Sequence, residues 1–162
     1  MRKWLLPIVA VLALAVVAPT LAGATKGQKK HKCSFDVTGL FAQVKVNSGN
    51  PPLSGSNTDA GVLDGKLCHK AFHGASRQVN TYPTPGKFKS RGLSFGPRGS
   101  ISAKFSGTGT LNADGSTSFS GSGKITGGTG IYKGATGSLS FTGTSPKDST
   151  VATQHITGKI KY

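Results

Sequence analysis

The amino-acid sequence predicts a small all-β domain that follows an export signal, and three observations carry that prediction. Hydrophobic residues make up 35 % of the 162 residues, and 24 residues are glycine. Outside residues 1–24 the hydrophobic share falls to about 28 %. Apolar and polar residues alternate in several segments, and no ten residues after the signal have a helical apolar stripe. Because glycine inside a helix costs about 1 kcal/mol relative to alanine, this composition excludes a helical bundle.

Residues 1–24 have the three parts of a secretory signal peptide. Arg2 and Lys3 form the positive start, residues 5–17 are almost wholly apolar, and residues 22–24 have the small-x-small pattern that signal peptidase cleaves. We therefore expect cleavage before Thr25 and a secreted, extracellular protein without a membrane span. The alternative is an uncleaved anchor, although the apolar run is shorter than the ~20 residues that a spanning helix needs.

The mature chain divides into a tail and one domain. Residues 25–32 (TKGQKKHK) are polar and basic without periodicity, which predicts a flexible tail with a solvated His31. Residues 33–162 are predicted to form a single domain, because a chain of this length and composition holds one core at most.

Cys33 and Cys68 are the only cysteines. Export into an oxidising compartment and an even count predict one disulfide, worth roughly 3–4 kcal/mol for a loop of about 36 residues. The alternative is a metal site in which His31, His69 and His73 join the thiols. Structural zinc sites usually contain Cys-x-x-Cys, which is absent here, so we expect a disulfide, no metal and no cofactor.

Period-two alternation predicts strands in five segments: residues 33–37, 44–46, 93–95, 101–111 and 156–162. His155 comes directly before the last segment, whose inward residues are at positions 156, 158, 160 and 162. It is therefore predicted to point outward. Two stretches rich in Gly, Pro, Ser and Asn predict long loops, at residues 47–61 and 80–87. Three of the five aspartates, Asp59, Asp114 and Asp148, therefore fall in loop or turn contexts.

The clearest hairpin surrounds Asp114-Gly115, and its register follows from parity. A three-residue loop, residues 113–115, pairs residue 112 with residue 116 and places four apolar residues on one face: Phe105, Leu111, Phe119 and Ile125. Lys104 and Lys124 then face water. Glycines at 107, 109, 121 and 123 lie on the inner face, where small residues permit the strong coiling of a closing barrel.

Residues 125–141 (ITGGTGIYKGATGSLSF) resemble the late-barrel signature of allene oxide cyclase-like and dirigent-like proteins. That signature is a Gly-Gly-Thr-Gly turn, an aromatic residue and a Gly/Ala-x-Gly strand. The nearest likeness is to short exported bacterial members of this superfamily. The resemblance implies a closed, calycin-like antiparallel barrel of about eight strands with a central cavity, which composition alone does not separate from a sandwich. In the plant enzymes cyclisation needs polar groups and a carboxylate inside the barrel, but the resemblance assigns no such residue here.

The candidate ligand-binding residues are His69, His73, Arg77 and Tyr82. If the segment after Cys68 lies at the barrel mouth, they would bind an acidic or metal-bearing ligand. The alternative is a partly exposed loop pair of histidines. The Gly-x-Gly pairs do not predict phosphate-binding loops, because no helix follows them.

Three functions remain. The first is non-catalytic binding of a small apolar or amphipathic ligand in the barrel, and the second is an allene oxide cyclase-like isomerase or cyclase. The third follows from a net charge of +15, with 20 Lys and Arg against five acids: a basic protein that binds an anionic extracellular polymer. The alternative reading of the charge is a surface that only maintains solubility.

Overall fold

The computed structural model describes residues 30–162, which form eight strands and a single turn of 3-10 helix, Gly130–Tyr132. The strands are β1 (Lys32–Ser48), β2 (Gly55–Leu67), β3 (Lys70–Thr84), β4 (Lys87–Gly96), β5 (Gly99–Leu111), β6 (Thr117–Gly128), β7 (Thr136–Ser145) and β8 (Val151–Lys161). Each strand pairs antiparallel with the next, and β8 pairs with β1 to close an up-and-down barrel. The predicted all-β class and closed eight-stranded barrel are confirmed. The predicted signal peptide, its cleavage before Thr25 and tail residues 25–29 lie outside the described residues.

The β5–β6 hairpin has the predicted register. The Asn112 amide donates to the Ser116 carbonyl oxygen at 2.8 Å, and Gly115 has a φ of +82° that favours glycine in the turn. Phe105 and Phe119 lie in the lumen, and Ile125 is buried. Leu111 is the exception, because it ends β5 at the rim of the barrel and is 73 % exposed.

The two predicted long loops are largely strand. The first connection is short, residues 49–54, because β1 continues to Ser48 and β2 starts at Gly55. Similarly, β3 continues to Thr84 even though it contains Pro83. A register irregularity between Thr81 and Thr84 accommodates that proline, which has no amide hydrogen for the ladder. The loop prediction was wrong here because strand pairing overrides the turn preference of Gly, Pro, Ser and Asn residues.

One end of the barrel is closed by side chains, and we call it the closed end. Both described chain ends and the β2–β3, β4–β5 and β6–β7 connections lie there. Tyr132 of the 3-10 helix is 4 % exposed and packs edge-to-face on Tyr162, with ring centroids 5.0 Å apart. The predicted Cys33–Cys68 disulfide is present and ties β1 to the β2–β3 turn. The core beneath these residues includes Ile160, Leu67 and Phe72.

The end of the predicted flexible tail belongs to the sheet. Lys32 begins β1, and the His31 amide donates to the Tyr162 carbonyl oxygen at 2.6 Å. The Tyr162 amide returns a hydrogen bond to His31 at 2.9 Å. Backbone pairing between the two ends therefore extends the sheet to residues 31 and 162, and His31 is exposed, as expected.

Removal of the disulfide should lower stability. The bridge closes a loop with a sequence separation of 35, so we expect the Cys33→Ser/Cys68→Ser variant to lose about 2–4 kcal/mol of unfolding free energy. Urea unfolding of this variant and of the reduced wild-type protein checks the value. Equal midpoints for oxidised wild type and the variant would show that the bridge contributes nothing.

The lumen should not accept a side chain at Gly107. A Cβ there would contact the Ser120 carbonyl oxygen and lie 2.7 Å from Phe88 Cζ and 3.1 Å from Phe141 Cζ. We expect Gly107→Val to destabilise the barrel by about 1–3 kcal/mol through overpacking. Lys104→Ala, on the outer face, should change stability by no more than about 0.5 kcal/mol. The same unfolding assay measures both, and the reverse order would mean that the assigned faces are inverted.

Candidate functional site

The end of the barrel opposite the closed end contains a cavity of about 480 Å³, which we call the mouth cavity. The β1–β2, β3–β4, β5–β6 and β7–β8 connections surround it. Its floor includes Phe41, Gln78, Phe105 and Gln154, which also line a deeper cavity of about 90 Å³. The deeper cavity is lined by residues of all eight strands, and most of them are apolar, such as Leu63 and Leu139. A ligand that enters the mouth therefore meets a floor of two phenylalanines and two glutamines, with a mostly apolar cavity beneath it.

One wall of the mouth cavity is polar and is built by β2 and β3. Because side chains alternate across a strand, every second residue points inward, and these include Asn57 and Asp59 on β2 and Gln78, Asn80 and Tyr82 on β3. Register brings the two sets together, since Asn57 is directly opposite Asn80 and Asp59 is opposite Gln78.

Hydrogen bonds join this wall into one network centred on Asp59. Asn80 Nδ2 donates to Asp59 Oδ2 at 2.6 Å, Gln78 Nε2 donates to the same oxygen at 3.2 Å, and Asn57 Nδ2 donates to Asp59 Oδ1 at 3.0 Å. Asn80 in turn accepts from Ser90 Oγ of β4 at 2.5 Å. Asn57, Asn80 and Ser90 are each 4 % exposed. Such a network holds the carboxylate in one orientation because its donors are themselves fixed by partners.

The facing wall is aromatic. Phe88 of β4 and Phe119 of β6 meet edge-to-face with ring centroids 6.4 Å apart, and Phe88 lies 5.9 Å from Phe141 of β7. Tyr82 connects the two walls, because its ring is 6.3 Å from Phe88 and its hydroxyl is 3.5 Å from Asn57 Oδ1. The cavity therefore has an amide and carboxylate side and a phenylalanine side.

Burial governs the ionisation of the polar wall. Loss of solvent raises the pKa of the Asp59 carboxyl above 3.8, and hydrogen bonds from Gln78 and Asn80 offset part of that rise. Burial and the nearby Asp59 charge raise the pKa of Tyr82 to about 12. The phenol is therefore a neutral hydrogen-bonding group at neutral pH, and Asp59 is the group whose charge can change.

The mouth cavity has the opposite sign of charge to the rest of the protein. Of the described residues that line it, none is Lys, Arg or His, and the charged ones are Asp59 and Asp148. Lys147 is nearby, but its side chain lies beside Gly115 at the rim and does not line the cavity. A cationic or hydrogen-bond-donating group is therefore favoured inside a chain whose net charge is +15.

The four residues predicted as a ligand site do not come together, because strand parity separates them. His69 lies in the β2–β3 turn at the closed end. On the outer face of β3, His73 is exposed and is paired with Asp64 at 2.9 Å, and Arg77 is also exposed. Tyr82 is the member of the set that lines the mouth cavity. The segment after Cys68 leads away from the closed end, which corrects the expectation that it lies at the mouth.

The remaining expectations concern metal, membrane and His155. Within residues 30–162 no group of three or more His, Cys, Asp or Glu is placed to hold a metal ion, and Cys33 and Cys68 are bonded to each other. No helix in that part of the chain is long and apolar enough to cross a membrane. His155 points outward, as predicted, and its Nε2 is 2.7 Å from Asp36 Oδ1.

No protein-family model, curated protein or solved structure matches the chain.

The polar wall was missed by the sequence analysis for a definite reason. The signal was present, since Asn57 and Asp59 alternate with Thr58 and Ala60, and Gln78, Asn80 and Tyr82 alternate likewise. Polar residues at every second position are ordinarily assigned to the solvent face, and the neighbouring prolines and glycines favoured loops. Following the parity of Leu63 back along β2 would have placed Asp59 inside.

Asp59 should make stability depend on pH. Because its folded pKa lies above its ordinary value of 3.8, the folded state binds this proton more tightly than the unfolded chain. The contribution of Asp59 to unfolding free energy is therefore highest below the ordinary value and falls as pH rises through the folded pKa. We expect the stability difference between wild type and Asp59→Asn to decline over that interval and then level off.

Urea unfolding at a series of pH values measures this difference. Asp64→Asn is the matched control, because Asp64 is an exposed aspartate on the outer face of the same strand. A difference between wild type and Asp59→Asn that stays constant with pH would contradict the prediction.

Proposed function

We propose that the protein binds a small amphipathic ligand in its mouth cavity and releases it chemically unchanged. The observation that carries this proposal is the division of one cavity of about 480 Å³ into a polar wall and an aromatic wall, above a deeper cavity that is mostly apolar. Binding sites for small molecules are concave and largely apolar, with a few fixed polar groups that orient the ligand. The mouth cavity has both features.

The polar wall is the place for the ligand's head group. Three amide donors already occupy the Asp59 carboxylate, and a carboxylate has about four lone-pair sites. A further donor from a ligand completes this set. The phenylalanine wall and the floor at Phe105 then take the apolar body, whose burial contributes about 25 cal/mol per Å² of apolar surface removed from water.

The sign of charge narrows the ligand class. A half-buried carboxylate that has no basic neighbour among the cavity-lining residues favours an amine or another donor group in the ligand and disfavours an anion. The ligand we propose is therefore an amphipathic molecule with a cationic or hydrogen-bond-donating head.

We propose that the protein works outside the cell. The signal-like residues 1–24 support this location, with cleavage before Thr25. The Cys33–Cys68 disulfide also fits an oxidising compartment.

The second candidate is an isomerase or cyclase of the allene oxide cyclase-like kind. Asp59 favours it, because the carboxylate lies inside the barrel, is held by three donors and has a pKa raised towards the range useful for proton transfer. The resemblance of residues 125–141 to that superfamily's signature supports the same reading. Binding and isomerisation differ in whether the ligand is recovered unchanged.

Competition for a fluorescent naphthylamine probe tests the binding proposal. Decylamine, decanol and decanoate have the same apolar chain and differ in head-group charge. We expect decylamine to bind tightest and decanoate weakest. This order is the opposite of the one expected from the protein's positive net charge. Asp59→Asn should weaken decylamine binding about tenfold, the loss of about 1.4 kcal/mol, and bring it close to decanol.

Two variants serve as controls in this assay. Asp64→Asn removes the same charge from the outer face of β2 and should leave all three affinities unchanged. Phe119→Ala should weaken all three ligands together, because it shortens the aromatic wall. Failure of every ligand to displace the probe, or an unchanged preference in Asp59→Asn, would overturn the proposal.

Recovery of an unsaturated epoxide after incubation separates the two candidates. Mass spectrometry and chromatography should return the epoxide unchanged if the protein is a binder. A cyclised isomer that disappears in Asp59→Asn would favour the enzyme instead.

A further inference from the structure

The outer face of five consecutive strands carries cations and no carboxylates. Strands β4 to β8 contain no aspartate, and all five aspartates of the chain lie on β1, β2 or the β5–β6 and β7–β8 connections. The cations on β4–β8 are all exposed: Lys87, Lys89, Arg91, Lys104, Lys124, Lys159 and Lys161. Half of the barrel surface is therefore positive, independently of the mouth cavity.

Four of these cations form a row across the strands, which we call the basic row: Arg91, Lys104, Lys124 and Lys159. Arg91 of β4 is directly opposite Lys104 of β5, and Lys104 is opposite Lys124 of β6. Ser138 of β7 continues the row and is opposite Lys159 of β8. Neighbouring strands are about 4.8 Å apart, so the row is a line of closely spaced positive charges.

Fold stability does not account for this arrangement. Like charges directly opposite each other on antiparallel strands are destabilising. Neither ion pair within residues 30–162 includes a residue of the basic row: His73 pairs with Asp64, and His155 of β8 pairs with Asp36 of β1. An external anion would relieve the repulsion along the row.

Hydroxyl groups flank the basic row. The next outward positions towards the mouth are Ser106 of β5, Ser122 of β6, Ser140 of β7 and Thr157 of β8, and they are also in register. Such hydroxyls donate hydrogen bonds to phosphate oxygens. The face thus combines charge with short neutral donors, as phosphate contacts require.

The shape of the row favours a flexible chain over a flat surface. It extends from β4 to β8, about half of the barrel's circumference, so a bilayer cannot contact Arg91 and Lys159 together, whereas a flexible polymer can follow the curve. Among the described residues, the outer faces of β4–β8 present one aromatic ring, Phe95 of β4, which lies four residues from Arg91 towards the closed end. Bases of a nucleic acid would therefore find no ring to stack on along the basic row itself.

We propose that the outer face of β4–β8 binds a flexible linear phosphate polymer without bases, which lies along the basic row. The polymer is recognised through its phosphates alone. This surface does not overlap the mouth cavity, so the protein can hold an amphipathic ligand while it is bound to the polymer.

Linear inorganic polyphosphate is the probe, and its affinity is measured by calorimetry at several salt concentrations. We expect log K to fall linearly with log salt, because bound phosphates release counterions. Lys104→Ser/Lys124→Ser should weaken polyphosphate binding at least tenfold. It should also make the slope of log K against log salt less steep by about 1.4, because each lost phosphate contact on a single-stranded polymer contributes roughly 0.7. Lys66→Ser/Lys70→Ser is the matched control, since it removes two exposed cations from β2 and β3 and gives the same net charge.

Two sets of results would overturn the proposal. Equal weakening by the control pair would show general attraction to a positive protein and no specific row. Tighter binding of a thymidine oligonucleotide or of anionic lipid vesicles than of polyphosphate, at equal phosphate concentration, would assign the face to nucleic acid or membrane. Decylamine competition in the row variant should remain at the wild-type value, which reports a folded barrel and keeps this test separate from that of the cavity.

Discussion

Pairing of β8 with β1 is the constraint on which the rest of the structure depends. Eleven residues of β1, from Lys32 to Ala42, pair with β8 and remove both edges of the sheet. Closure makes one face of every strand interior and the other exterior, so a side chain's position along its strand decides whether it meets the lumen or water. It also lets a chain with few apolar residues form a core, because one narrow lumen needs few large side chains. Glycines opposite the aromatic rings leave room for those rings in the lumen, as Gly107 does for Phe88 and Phe141.

The two ends of this cylinder have different chemistry, and that difference creates the cavity. Tyr132, Tyr162 and the disulfide close one end. At the other end the inward positions of β2 and β3 change from leucine and phenylalanine to amide and carboxylate side chains, while β4 and β6 retain Phe88 and Phe119. Each strand thus contributes both core and cavity, and the polar wall is rigid because the paired strands fix its spacing.

Charge is separated by the wall of the barrel. Asp59 is held inside by amides, while the cations of β4–β8 point to solvent on the other side of the same sheet. The sheet keeps the two apart, so a cationic ligand inside the barrel and a phosphate polymer outside it would contact different residues. The proposed cavity ligand and the proposed polymer are therefore separable properties of one small domain.

The sequence by itself determined the local features. Parity around Asp114-Gly115 was sufficient to predict the β5–β6 register and the inward Phe105 and Phe119, because a short hairpin depends on residues close in the chain. Two cysteines behind a predicted export signal were sufficient to predict the disulfide. The closed barrel needed the resemblance of residues 125–141, since alternation alone fits a sandwich equally well.

Only the tertiary structure decided the site. Alternation in a strand that is polar on both faces does not say which face is inside, so Asp59 and Asn80 looked like solvent-facing residues of a loop. Their direction follows from pairing with distant strands and from closure between β1 and β8. The same parity turned His73 and Arg77 outward and brought Arg91, Lys104 and Lys124 into one row. Register between strands is a long-range property, and it sets which face each polar side chain joins.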